Sequence, residues 1–90
     1  MNSVAVNADD TRAIANRLRR AQGQLAAVVR MLEDGRDCRE IVPQLAAVSK
    51  AIDRAGFAVV ASSLRECAAH PDTHDAHDVA DLEKLFLSLA

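Results

Sequence analysis

The chain is 90 residues long, half of them hydrophobic and 27% charged, with a formal net charge of −2; that is one small domain, too short for two cores. No apolar run approaches the roughly 20 residues of a membrane-spanning helix, and the polar, acidic-ending stretch Met1–Asp10 lacks a signal-peptide pattern. We therefore expect a cytoplasmic protein with no membrane partner, whose Cys38 and Cys67 rest as thiols. Phe57 and Phe86 are the whole aromatic content, so aliphatic side chains rather than ring pairs must fill the interior. A core this small calls for help from metal, disulfide or oligomerisation.

The whole of 1–90 reads as a single helical domain, with residues 1–9 expected to be disordered or frayed. From Asp10 to Gly35, Ile14, Leu18, Ala21, Leu25, Val28 and Leu32 alternate steps of four and three, the seam of a long helix capped by Asp9 or Asp10 and stopped at Gly35. The rhythm resumes after Asp37 with Ile41, Leu45, Val48, Ile52, Ala55 and Val59 and continues through Leu64 and Cys67. Pro43 predicts a kink in this second helix or a true start nearer Val42. After Pro71, a third helix is expected from about His74 to Leu89, with Val79, Leu82, Phe86 and Leu89 on one face and Asp75, Asp78 and Asp81 toward its start. The fold class is all-α. Two long seams are poorly buried by a monomer, so the long helices should pair as a hairpin and dock on a second copy as an antiparallel four-helix bundle. Gly56, inside the second helix, suggests a close backbone approach at that interface.

Charge is segregated along the chain. Residues 11–36 carry Arg12, Arg17, Arg19, Arg20, Arg30 and Arg36 against Glu33 and Asp34, whereas residues 68–90 carry five acids against Lys84. A basic first helix on a mildly acidic chain suits phosphate contact and equally suits a solvated helix surface.

Cys38 and Cys67 are 29 positions apart on one helix, about 43 Å at 1.5 Å per residue, so they cannot meet within a chain. An antiparallel partner would set Cys38 of one protomer beside Cys67 of the other, giving two identical two-thiol sites. Cys38, at a helix N-terminus between Arg36, Asp37 and Arg39, is the expected nucleophile; Cys67, at a helix C-terminus beside Glu66, is the expected resolving thiol. Both are equally compatible with inert core packing.

The run Arg17-Leu-Arg-Arg-Ala-Gln-Gly-Gln24, the Cys38 that follows Leu-Glu-Asp-Gly-Arg-Asp, the Gln44-Leu-Ala-Ala-Val48 stretch and the ending Leu64-Arg-Glu-Cys67 resemble the CsoR/RcnR family of bacterial transcriptional repressors over roughly residues 12–88. The resemblance implies a three-helix protomer in a dimer of dimers, a homotetramer that holds operator DNA without a helix-turn-helix until an inducer binds. It implies DNA contacts from Arg17, Arg19, Arg20 and Gln22 on the first helix and Lys50 and Arg54 on the second, residues suited to phosphate and base edges. The copper-sensing branch places a histidine four residues before its last cysteine, a position filled here by Ser63. Two cysteines alone resemble the CstR branch, which implies sensing of persulfide or polysulfide, reactive sulfur species, through Cys38 and Cys67, with no cofactor and no enzymatic activity. The formaldehyde-sensing branch fits less well, because it generally lacks the second cysteine.

Three alternatives remain beside that expectation. Copper(I) sensing would use Cys38, Cys67 and a displaced His70. His70, His74 and His77 with Asp72, Asp75 and Asp78 could hold nickel, cobalt or zinc, although Pro71 interrupts their helix spacing and a polar loop explains the same composition. A thiol oxidoreductase or sulfur carrier would need a Cys-x-x-Cys or a close Cys-His dyad, which the sequence lacks. Binding of DNA by the reduced protein separates the regulator from the last of these and from a purely structural helical adaptor.

Overall fold

Asn7 opens the first helix. Its side-chain oxygen accepts the Asp9 backbone N–H at 2.9 Å, and its carbonyl accepts the Thr11 N–H at 2.8 Å, the pattern by which a short polar side chain satisfies the unpaired donors of a helix start. In the computed structural model, which describes residues 3–90, three α-helices follow: α1 Ala8–Glu33, α2 Cys38–Ala69 and α3 Ala76–Leu89. The start of α1 thus precedes the expected Asp9 or Asp10 cap. Of the frayed segment expected over 1–9, residues 1 and 2 lie outside the described residues, and Asn7 onward is tied to α2 instead of fraying: its backbone N–H donates to Ser62 Oγ at 3.1 Å.

The turn between α1 and α2 is closed from both sides. Gly35 takes φ +68°, the left-handed conformation favoured by glycine, while its N–H reaches the Leu32 carbonyl at 3.1 Å and the Arg36 N–H reaches the Met31 carbonyl at 3.0 Å. Asp37 then caps α2, accepting the Arg39 N–H at 2.8 Å. Because this cap precedes Cys38, Pro43 is the sixth residue of α2 rather than its start, and the helix continues through it. α3 begins two residues later than expected, because Asp75 and Asp78 form a reciprocal capping box with two bonds of 3.1 Å, and Asp75 also accepts the His77 N–H at 3.0 Å.

α1 and α2 pack as an antiparallel hairpin, and α3 folds back on the C-terminal half of α2, giving a particle of 55 × 24 × 18 Å. Each four-three seam divides in two. Ile14, Ala21 and Val28 from α1 and Ile41, Val48 and Ala55 from α2 are buried, whereas Leu18, Leu25, Leu32, Leu45, Ile52 and Val59, the other half of the same seams, remain 37–61% exposed. A second cluster, Val60, Cys67 and Leu82, joins α2 to α3, with Val4, Leu64, Val79 and Leu89 packed against it. Gly56 makes room for a side chain within the protomer: a Cβ there would stand 3.1 Å from both Leu89 methyl carbons. Phe57 and Phe86 do form a ring pair, 5.1 Å apart and tilted 59°, with Phe86 44% exposed at its edge. No helix of the described residues is long and apolar enough to cross a membrane.

Candidate nucleic-acid interface and thiol pair

The buried half of the α1 seam fixes where its other side chains stand. On one flank Arg17, Arg20 and Gln24 face Ala51 and Arg54 of α2 across a cleft of about 360 Å³ floored by Ala21. The alanines leave the space that the guanidinium groups frame. Arg17 also borders the next cleft toward the helix ends, about 330 Å³, with Asp10, Ala13, Ala58 and Arg65. Arg17, Arg20 and Arg54 form no ion pair with a described residue, so three forked cations converge on one concavity with their donors open to an oxyanion. Arg65 extends this strip and was not singled out from the sequence; Asp10 holds it at 3.1 Å.

The six residues expected to meet DNA are thereby divided. Arg17, Arg20 and Arg54 share the cleft. Arg19 and Gln22 instead border the opposite flank, an apolar cleft of about 420 Å³ with Ala15, Leu18, Leu25 and Ile52; Arg19 also donates to Asn16 Oδ1 at 2.8 Å. Lys50 is exposed one turn before Arg54 and outside the arginine cleft. The apolar flank continues through a second cleft of about 220 Å³, lined by Leu25, Leu45, Val48, Ser49, Ile52 and Asp53.

The two thiols occupy opposite ends of α2 and opposite environments. Cys38 is exposed as the first residue of the helix, and Cys67 is buried. The arginines beside Cys38 are already engaged: Arg36 pairs with Glu40 at 2.9 Å and Arg39 with Asp37 at 2.8 Å, so the positive charge expected there is locally compensated. Hydrogen bonds from the Arg39 side chain and backbone, and then from Cys38, hold the Asp37 carboxyl below its ordinary range. At the other end, burial first, and then the nearby carboxylates of Asp78 and Glu66, push the Cys67 thiol upward. Sequence proximity to Glu66 anticipated part of this; the contribution of Asp78 depends on the docking of α3.

Ser63, on the turn before Cys67, is buried, as is Ser62. Ser62 Oγ donates to Asp10 Oδ2 at 2.7 Å, and with Arg65 this lowers the Asp10 carboxyl pKa. The three histidines are not drawn together. His70 Nε2 lies 3.5 Å from Glu66, His74 Nδ1 3.4 Å from Asp78 and His77 Nε2 3.6 Å from Asp81, each beside a carboxylate one helical turn away. Among the described residues of one chain, no three His, Cys, Asp or Glu side chains are grouped to hold a metal ion.

Fold and cleft define a small all-helical protein in which three arginines, unpaired among the described residues, surround one concavity. The family model for metal-sensitive transcriptional repressors matches residues 10–88. The copper-sensing transcriptional repressor CsoR of Mycobacterium ulcerans (strain Agy99) is 37% identical over 59 residues, 66% of this chain and 50% of that protein. The copper-sensing transcriptional repressor CsoR of Mycobacterium tuberculosis (strain ATCC 25618 / H37Rv) is 34% identical over 74 residues, 82% of this chain and 61% of that one. An uncharacterized protein in the bioA 5' region of Serratia marcescens is 32% identical over 80 residues, 89% of this chain and 88% of its own length. The chain therefore spans between a half and three fifths of these copper-sensing relatives. No solved structure matches the chain closely enough to count as a relative. The chain belongs to the metal-sensitive transcriptional repressor family.

Proposed function

We propose that this chain is an operator-DNA-binding repressor that takes phosphates between Arg17, Arg20 and Arg54 and senses persulfide or polysulfide through Cys38 and Cys67 of adjoining protomers. The observation that carries the DNA half is the arginine cleft, whose three unpaired guanidinium groups suit bidentate phosphate contact. Arg19 and Gln22 on the other flank and the exposed Lys50 lie outside that cleft and would meet the duplex, if at all, through separate contacts. The exposed halves of the two seams support an antiparallel homodimer, itself paired into a homotetramer, because a second hairpin laid on Leu18, Leu25, Leu45 and Ile52 would complete a four-helix core.

Sensing follows from the thiols. The Cys38 thiolate attacks a sulfane sulfur and becomes a persulfide, while the donor leaves one sulfur shorter. Cys67 of the partner subunit then attacks the Cys38 sulfur and expels hydrosulfide, leaving a disulfide; two persulfidated cysteines that lose one hydrosulfide leave a trisulfide. Either bond ties the two ends of α2 in adjoining protomers together and repacks the hairpins that align the arginine clefts. Ser63 before Cys67 supports this reading over one that needs a buried imidazole there.

A second reading, with copper(I) as inducer, is favoured by the relatives named as copper-sensing. Two thiolates suit a soft monovalent ion, and His70 is the imidazole closest in sequence to Cys67, although it is exposed and lies beside Glu66.

Intact-mass analysis of reduced, polysulfide-treated and anaerobically copper(I)-loaded protein, with fluorescence anisotropy on duplexes tiled across the DNA flanking its gene, tests both. Covalent dimers that require Cys38 and Cys67 and release DNA, without an effect of copper, are the expected result. Tight copper binding that alone releases DNA overturns the persulfide reading in favour of the second.

A further inference from the structure

The residues before α1 do more than start a helix. Val4 packs on the Val60–Cys67–Leu82 cluster. Asn7 donates its backbone N–H to Ser62 Oγ at 3.1 Å and its side-chain Nδ2 to Glu66 Oε1 at 3.1 Å, while its own side-chain oxygen caps α1. Asp10, in the first turn of α1, accepts from Ser62 Oγ at 2.7 Å and from Arg65 at 3.1 Å. Ser62, Arg65 and Glu66 are the turn of α2 that leads into Cys67, so one short segment grips both the start of α1 and the surroundings of the buried thiol.

We infer that the segment from Val4 to Asp10 is a latch that joins access at Cys67 to the position of α1. Cys67 is 4% exposed, so a reagent, an ion or a second thiol reaches its sulfur only after part of its cover moves. That cover has two sides. α3 is held by its capping box, by the seating of Leu89 over Gly56 and by the Phe57–Phe86 pair, whereas Val4 belongs to a non-helical stretch held by a few half-exposed contacts. Local opening selects the element with fewer buried contacts. When Val4 and Asn7 leave, α1 loses its N-cap and Asp10 loses its registry on Ser62, which alters the cleft that Asp10 borders together with Arg17. Arg65 is freed from its carboxylate in the same event. The inference rests on Cys67 being the sensing thiol only for its biological use; the coupling itself is a property of the protomer.

The test uses full-length reduced protein and limiting N-ethylmaleimide, with both thiols followed by mass spectrometry so that Cys38 serves as internal reference. Val4→Ser and Asp10→Asn, each checked for helix content by circular dichroism, are expected to speed labelling of Cys67 about tenfold while leaving Cys38 unchanged. Conversely, protein labelled at Cys67 in a Cys38→Ser background is expected to exchange its amides over residues 11–15 about tenfold faster. An unchanged Cys67 rate in both variants, with acceleration by Val79→Ser instead, assigns the cover to α3 and overturns the latch; so does unchanged amide exchange after labelling. Neither readout involves DNA. If both come out as expected and Cys67-labelled protein still holds its operator at full affinity, the latch stands and the sensing reading fails.

Discussion

The two flanks of the α1–α2 seam are both open, and they are open in opposite ways. One carries Arg17, Arg20 and Arg54 around small alanines; the other carries Leu18, Leu25, Leu45 and Ile52 with only Arg19, Gln22, Ser49 and Asp53 at its margins. Water solvates the guanidinium groups well and the leucines badly. The basic flank is therefore stable as it stands and gains from a polyanion that releases its own counterions, whereas the apolar flank gains from any surface that removes it from water. On the function proposed above, the same two helices would meet two partners of different kinds, and neither flank could substitute for the other.

Breaking the apolar flank has the largest expected effect. Ile52→Lys places a charge where the two apolar clefts meet, and its symmetry mate would face it across an antiparallel pair. Sedimentation equilibrium should show a monomer, and operator affinity should fall about a hundredfold as paired binding is lost; an unchanged molecular weight would remove this flank as the interface. Breaking the basic flank is milder. Arg54→Ala should weaken DNA binding about tenfold and lower the salt slope by about one unit per protomer in contact, leaving the molecular weight untouched; loss of affinity with no change in slope would mean that Arg54 contacts no phosphate.

The smallest effect is one of pH. Asp10 has a folded pKa below its ordinary value of 3.8, so its contribution is complete above that value and is lost as pH falls through the lowered pKa. Cys67 is displaced the other way, so above its ordinary 9.0 the unfolded thiol ionises first and stability declines as pH rises. Thermal melts of wild type and Asp10→Asn should differ at neutral pH and converge in strong acid. A difference that persists below that range would show that Asp10 acts through something other than its charge.

Much of this was legible in the four-three spacing. The seams locate both long helices because the residues that alternate in steps of four and three must share a face, and Asp37 and Gly35 mark their ends by chemistry that no distant residue alters. The start of α1 was not legible in the same way. Asn7, Asp9 and Asp10 are all competent caps, and the choice among them is made by Ser62 and Arg65, more than fifty residues away, which draw Asp10 into a tertiary contact. The six residues expected to meet DNA were readable as basic or amide side chains but not as members of two flanks, because the division depends on which half of each seam the partner helix covers. Gly56 was recognised as a point of close approach, yet the visitor is Leu89 of the same protomer. Sequence spacing records that room is needed; it does not record who takes it.

The doubly closed turn at Gly35 also has a mechanical meaning. With hydrogen bonds finishing α1 on one side and Asp37 starting α2 on the other, the loop has no slack, so if the latch inferred above released the far tips at Asn7 and Asp10, the hairpin would open as a pair of tongs pivoted there. Opening the tips moves each point of α1 in proportion to its distance from the pivot. At 1.5 Å per residue, Arg17 would follow roughly two thirds of the tip's travel and Arg30 roughly a sixth, so a small event near Cys67 would be delivered mainly to the arginines that need to keep their spacing, and hardly at all to the turn that holds Cys38.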